Sequence, residues 1–214
     1  LKADTILVVT VTTGFRHSSI ETAAGTITVE LYADKAPITV ANFLRYVDNT
    51  TSTIHKANLS VAMSNFGTLG WVTDQGGYRY QPHHPVTGLA WPDIPPALLD
   101  LWAELVDPQV PPDACLVNLY GTGAKMGLHQ DRDESDLTIP VLSVSLGDSA
   151  QFRIGGPLRT DPTRSVRLAS GDVCGLFGSA RLAFHGIDRV LGGSSRLVPG
   201  GGRINLTLRR AGPV

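Results

Sequence analysis

His129 and Asp131, separated only by Gln130, and the distant His185 are residue types that could share one ion. Two histidines and one carboxylate are the ligand set of non-haem Fe(II) sites, which leave positions open for oxygen chemistry. In a strand, residues two apart point to the same face, so His129 and Asp131 should project together from a strand over 126–131. His185 falls in an apolar stretch, 181–187, read as another strand that turns the imidazole inward. Further on, 203–209 (RINLTLR) alternates, with Arg203, Asn205, Thr207 and Arg209 on one face and Ile204, Leu206 and Leu208 on the other. Two guanidiniums on one face are expensive to bury without an anion, and their planar forks match carboxylates. The competing reading of this strand is an exposed edge carrying surface arginines. Asn118 and Tyr120 share a face in the same manner and could complete a carboxylate pocket. Together the two sets suggest an iron enzyme with an organic-acid co-substrate.

These groups need a β framework to hold them. Short strands are expected at 114–120, 126–131, 139–147, 150–154, 165–169, 172–177, 181–187 and 203–210, separated by glycine-rich turns. About eight such strands indicate a mainly β fold, a sandwich or jelly roll. Apolar spacing predicts helices over 37–48 and 96–106, the second with Leu98, Leu99, Trp102 and Leu105 on one side. Strands are also expected at 5–11 and 26–32, and short strands and turns between 54 and 95.

Bulk properties set limits. The 214 residues suffice for one sizeable core, and 42% hydrophobic against 17% charged residues describes a globular chain. A net charge of -1 argues against broad wrapping of duplex nucleic acid and leaves room for a local basic groove. Cys115 and Cys174 are expected as buried thiols in a reducing compartment. No apolar run approaches the ~18 residues of a membrane span, and a cytoplasmic protein without a membrane partner is the expectation. His17, His55, His83 and His84 lie in polar or proline-rich stretches and are expected to be structural.

Several segments resemble one family in order. They are LSVAMSNFGTLGWVTDQGGYRYQP, then PDACLVNLYGTGAKMGLHQDRDESDLTIPVLSVSLG, LASGDV, SARLAFHGI and RINLTLRRAG. From about residue 59 to 212 the chain resembles the AlkB family of Fe(II)/2-oxoglutarate dioxygenases. The resemblance implies a double-stranded β-helix with a few flanking helices. It implies Fe(II) held by His129, Asp131 and His185 as the catalytic centre, with O2 at the open position. It further implies 2-oxoglutarate held by Asn118, Tyr120, Arg203, Asn205 and Arg209. The implied partner is single-stranded DNA or RNA with alkylated bases, such as 1-methyladenine or 3-methylcytosine, acted on by a monomer that demethylates them. Trp71 would stack on the base, Tyr78 would contact the backbone, and Asp133 would balance the cationic lesion. Met63 would line that pocket, and Arg159 would add a basic contact.

Residues 1–57 depart from that pattern. LVVTVTTGFRHSSIETA resembles the opening of ThuA-like proteins, and GTITVELYADKAPITVANFLRYVD resembles the N-terminal strand and helix of cyclophilin-type isomerases. Neither is a whole domain, so the expected division is a composite N-terminal segment, 1–57, and a dioxygenase domain, 58–214. Leu176-Phe177 is a second departure, where bacterial relatives often carry tryptophan and glycine. Two other readings stand beside the first: a dioxygenase acting on a protein or small molecule, and an inactive fusion.

Overall fold

The structure is a computed structural model that describes residues 6–9, 18–22, 25–29, 61–107 and 109–213. In chain order the elements are β1 (Ile6–Val9), β2 (Ser18–Thr22), β3 (Gly25–Val29), β4 (Val61–Gly67), β5 (Gly70–Asp74) and β6 (Gly77–Gln81). A helix, α1 (Pro96–Leu105), follows, then β7 (Ala114–Tyr120), β8 (Met126–His129), β9 (Val141–Gly147) and β10 (Ser149–Ile154). The chain continues through β11 (Arg164–Leu168), β12 (Val173–Leu176), β13 (His185–Leu191) and β14 (Arg203–Arg209). The helix expected at 37–48 lies outside the described residues, as do His17 and His55.

Two antiparallel sheets carry the fold. The larger has the order β1-β12-β9-β14-β7-β4, and the smaller β11-β10-β13-β8. Two hairpins, β2-β3 and β5-β6, stand apart from them. The sheets share an apolar layer in which Tyr120, Cys174 and Leu176 of the larger meet Phe152, Ile154, Ile187 and Val190 of the smaller. This is the expected double-stranded β-helix.

A second core lies on the outer face of the larger sheet, where Cys115, Val117, Ile204, Leu206 and Leu208 receive α1. The helix starts at Pro96, whose missing N–H costs nothing in a first turn. It buries Leu98, Leu101, Trp102 and Leu105, an i, i+3, i+4, i+7 stripe. Leu99, expected on that stripe, is instead 37% exposed, and Leu101 takes its place at 4%. Ten residues make a marginal isolated helix, so burial of this stripe, at roughly 1.5–3 kcal/mol per large side chain, is what stabilises it.

Most strand ends shift by one or two residues from expectation, and two of the differences bear on the site. β8 ends at His129, leaving Asp131 just beyond it, and β13 begins at His185 rather than at 181. The cause of the second is Arg181, which is buried and donates to the carbonyls of Ile139 (2.7 Å) and Asp131 (2.6 Å). Those bonds hold 181–184 out of the sheet as the exit from a 3-10 turn at Gly178–Ala180.

Candidate active site

Strand register builds the site. β13 pairs with β8 so that His185 lies directly opposite His129, which places the two imidazoles side by side on the smaller sheet. Gly186 permits this close approach, because a Cβ there would lie 2.5 Å from the Met126 carbonyl oxygen. The ring centroids are 4.5 Å apart. Asp131 completes the group, and one ligand atom from each of the three residues lies within 4.8 Å of the others. Each Nδ1 is engaged by a backbone carbonyl, Gly127 for His129 (2.9 Å) and Ala183 for His185 (3.0 Å). Both Nε2 atoms are thereby aimed at the Asp131 carboxylate, at 3.9 Å and 3.7 Å. Holding one ring nitrogen orients the other as a ligand. Burial pulls the pKa of His185 below its ordinary value, which favours the neutral form with a free lone pair.

The larger sheet faces this group with its polar side. β14 and β7 pair Arg203 with Tyr120 and Asn205 with Asn118, and β4 adds Met63 opposite Asn118. All seven residues of β14 are buried, so the exposed-edge reading of this strand is wrong. Arg203 is 1% exposed, with its guanidinium 5.2 Å from the Tyr120 ring centroid. One of its nitrogens donates to Ser145 (2.9 Å) and Asn205 (2.6 Å), while Nε and Nη1 have no hydrogen-bond partner among the described residues. Asn118 Oδ1 and Arg209 Nε likewise have no hydrogen-bond partner among the described residues. Burial lowers the pKa of Arg203, because a guanidinium taken out of water here has no carboxylate beside it among the described residues. Unpartnered buried guanidinium N–H groups call for an anion.

Behind these residues runs a charged network that sequence reasoning missed. Arg209 donates to Asp131 (2.8 Å) and to the Tyr80 hydroxyl (2.9 Å), and Tyr80 donates to Glu134 (2.8 Å). Glu134 in turn accepts from Arg181 at 2.9 Å. Burial works against the charge of Asp131, but Arg209, with both histidines and Arg181, holds its pKa down to about 2. Burial likewise opposes the charge of Arg209, and Asp131, Tyr80 and Glu134 outweigh it and raise its pKa. Gln130, the residue between the two ligands, donates to the carbonyls of Pro157 (3.1 Å) and Leu182 (2.6 Å). None of these partners is near in sequence; the one available signal was the charged run 131–134 after His129.

The rim is built by the β5-β6 hairpin. Trp71 donates from its indole to Asp133 at 2.9 Å and stacks on Tyr78, with centroids 5.2 Å apart and planes 16° off parallel. Tyr78 is 69% exposed. Arg159 is exposed, with its guanidinium 5.0 Å from the Phe184 ring centroid on the opposite rim. One cavity of about 810 Å³ is bordered by all thirteen residues singled out in the sequence. Leu176 borders it too, whereas Phe177 packs into the helix-side core, so only the first of that departing pair shapes the pocket. His84 accepts from the Val86 and Thr87 amides at 3.2 Å, a turn-forming role, and both cysteines are free and buried, as expected.

Comparison with known proteins agrees with this geometry. Residues 39–209 match the 2OG-Fe(II) oxygenase superfamily. The chain is 72% identical over 153 residues to the alpha-ketoglutarate-dependent dioxygenase AlkB homolog of Caulobacter vibrioides, covering 72% of this chain and 70% of that one. The chain belongs to the AlkB family. The alpha-ketoglutarate-dependent dioxygenase AlkB of Escherichia coli is 45% identical over 158 residues, covering 72% of this chain and 73% of the relative. The solved structure of OsALKBH1 superposes with a TM-score of 0.70 at 28% identity, over 84% of this chain and 93% of that one. As an AlkB-family chain this is an Fe(II)- and 2-oxoglutarate-dependent dioxygenase that uses O2. The residues present fit those groups. The imidazole Nε2 atoms converge on a carboxylate, and unpaired guanidinium N–H groups await an organic acid.

Proposed function

We propose that this chain oxidatively demethylates N-alkylated bases, of the 1-methyladenine and 3-methylcytosine type, in single-stranded DNA or RNA. The carrying observation is the pairing of the Trp71 indole with the Asp133 carboxylate at 2.9 Å, on the rim of the cavity that holds the His-Asp-His group. A ring methylated at these positions is flat and cationic. An aromatic face and a carboxylate together suit such a ring. Relatives point the same way: the Arabidopsis ALKBH1D is named a DNA N(6)-methyladenine demethylase and the fission yeast abh1 a tRNA demethylase.

His129, Asp131 and His185 hold the iron. Asn118, Tyr120, Arg203, Asn205 and Arg209 hold 2-oxoglutarate, with the two arginines at its opposite ends. Fe(II), 2-oxoglutarate and O2 supply oxidation of the N-methyl group to a hydroxymethyl that leaves as formaldehyde, with succinate and CO2 as co-products. The chain's own work is orientation and exclusion of water. Trp71 stacks on the extruded base, Asp133 offsets its charge, Met63 lines the pocket, and Tyr78 and Arg159 meet the nucleic-acid backbone. Damaged or single-stranded bases are favoured because they cost less to unstack.

The reading extends to residues 1–57 as a non-catalytic segment and 58–214 as the dioxygenase domain. It also extends to a monomer, and to the cytoplasm, which suits two free buried thiols. Among the described residues no helix is long and apolar enough to cross a membrane. The test is incubation with a single-stranded oligonucleotide bearing one 1-methyladenine. Formaldehyde and unmodified adenine should appear together, dependent on Fe(II) and 2-oxoglutarate. Succinate formation indifferent to the oligonucleotide, with the methyl group retained, would refute the substrate assignment.

A further inference from the structure

The β5-β6 hairpin is a two-stranded element outside both main sheets, and such hairpins are marginal on their own. It carries Trp71 and Tyr78, so whatever fixes the hairpin fixes the rim. Part of its anchorage is local: the Asn65 amide exchanges two 3.0 Å bonds with the Trp71 backbone. Tyr80, which stands opposite Trp71 in the hairpin register, reaches inward instead. Its hydroxyl donates to Glu134 at 2.8 Å and accepts from Arg209 Nη1 at 2.9 Å. Among the described residues, no other residue of β5 or β6 is hydrogen-bonded to Arg209.

Arg209 is a planar fork held on two sides. Nη2 is on Asp131, Nη1 is on Tyr80, and Nε has no hydrogen-bond partner among the described residues. The rotation of that plane, and hence the direction of the unpaired N–H, is set by the two oxygens together. Without the Tyr80 hydroxyl, Nη1 keeps only Glu134, now at 3.4 Å, and the fork is free to turn toward it.

We propose that Tyr80 is a positioning residue that latches the substrate-side hairpin onto Arg209, so that co-substrate binding and nucleic-acid binding strengthen each other. This rests on the reading of Arg209 as a 2-oxoglutarate contact and of the hairpin as the base-binding rim. An occupied Arg209 is a fixed Arg209, and a fixed Arg209 holds the hairpin in place for the base. The coupling is reciprocal by thermodynamic necessity. Tyr80 does not border the cavity, and its effect passes through Arg209.

The experiment uses the full chain loaded with Fe(II) under anaerobic conditions. Binding of a labelled single-stranded oligonucleotide with one 1-methyladenine is followed by fluorescence anisotropy, with and without saturating 2-oxoglutarate. The unsubstituted protein should bind the oligonucleotide at least about 5-fold more tightly when 2-oxoglutarate is present. In Tyr80→Phe that factor should fall close to one, while the thermal transition stays cooperative and the iron loading is unchanged. Arg79→Ala serves as the control. It removes the exposed 2.7 Å ion pair with Asp74 at the hairpin tip and leaves Tyr80 untouched. Its coupling factor should match that of the unsubstituted protein. Equal loss of coupling in both variants would make the effect one of general hairpin stability and overturn the latch. So would a folded Tyr80→Phe protein with full coupling, or an unsubstituted protein that binds both ligands without coupling. An unsubstituted protein that binds no 2-oxoglutarate would instead defeat the functional reading beneath it.

Discussion

Arg209 donates to Asp131 Oδ1 at 2.8 Å, and both side chains are only 7% exposed. The last strand of the fold is therefore ion-paired to a metal-ligand candidate 78 residues earlier in the chain. A residue assigned to the co-substrate thus also sets the orientation and charge of a residue assigned to iron. The two halves of the site are one electrostatic unit.

That union predicts different outcomes for the two arginines. Arg203→Lys should weaken 2-oxoglutarate binding by about 10-fold or more, because an ammonium cannot reproduce the planar fork. Stability should change less, since Arg203 makes no ion pair among the described residues. Arg209→Lys should weaken 2-oxoglutarate binding and also lower stability, because Asp131 and Tyr80 lose a shared donor. Arg209→Ala should cost about 3–5 kcal/mol, the range for stripping a partner from a buried pair. Co-substrate titration beside chemical denaturation separates the two effects.

Trp71→Ala should weaken binding of a methylated oligonucleotide by about 1–3 kcal/mol, the range for base–aromatic stacking. The fold should survive, since the indole packs on exposed Tyr78 and bonds exposed Asp133 rather than filling either core. Substrate-free turnover of 2-oxoglutarate should persist. Unfolding at ordinary temperature would assign Trp71 to the core instead.

Asp148 gives a pH signature away from the iron ligands. It is 1% exposed and accepts from the backbone amides of Ser195 (2.9 Å) and Gly202 (2.8 Å). Burial opposes its charge, but those amides, with Gly193 and Ser194, outweigh burial and lower its pKa. A carboxylate with a depressed folded pKa adds stability above its unfolded pKa, about 3.9, and loses it as pH falls through the folded value. Asp148→Asn should therefore cost about 1–3 kcal/mol at pH 7, the range for weakened hydrogen bonds to a buried charged group, and the gap from the unsubstituted protein should close as pH drops below about 4. Urea denaturation at several pH values reads this directly. A pH-independent gap would make the loss one of shape rather than charge.

β1 pairs its backbone with β12, from Ile6 opposite Leu176 to Val9 opposite Val173, and so covers one edge of the larger sheet. A chain beginning at Asn58 exposes that edge and should lose stability or solubility. Turnover per iron-loaded molecule should be retained. A folded, iron-loaded truncation that cannot oxidise its substrate would show that the segment takes part in the site.

The candidate site was legible where residue type alone restricts the chemistry. His129, Asp131 and His185 combine as an iron set, and the alternation in 203–209 separates a polar face from an apolar one. The second reading needed only short-range alternation, which β14 supplied, whereas the first rested on residue type, since β8 ends at His129 and Asp131 lies just beyond it. What stayed hidden depends on distant pairings. Tyr80 reaches Arg209 across 129 positions, and Arg181 reaches Glu134 across 47. No local pattern marks such partners. Arg181 also explains the misplaced start of β13, because its buried bonds hold 181–184 outside the sheet. Leu99 and Leu101 both lie near the apolar stripe of α1, and packing against the larger sheet decides between them.

The central claim is that one cavity holds Fe(II) and 2-oxoglutarate together. Anaerobic titration of the full chain with both, followed by visible absorption, tests it most directly. The unsubstituted protein should develop a charge-transfer band at one equivalent of each. His185→Ala and Asp131→Ala should abolish the band, and Arg203→Lys should shift its 2-oxoglutarate midpoint upward. No band from the unsubstituted protein, or a band undiminished in both ligand variants, would contradict the account.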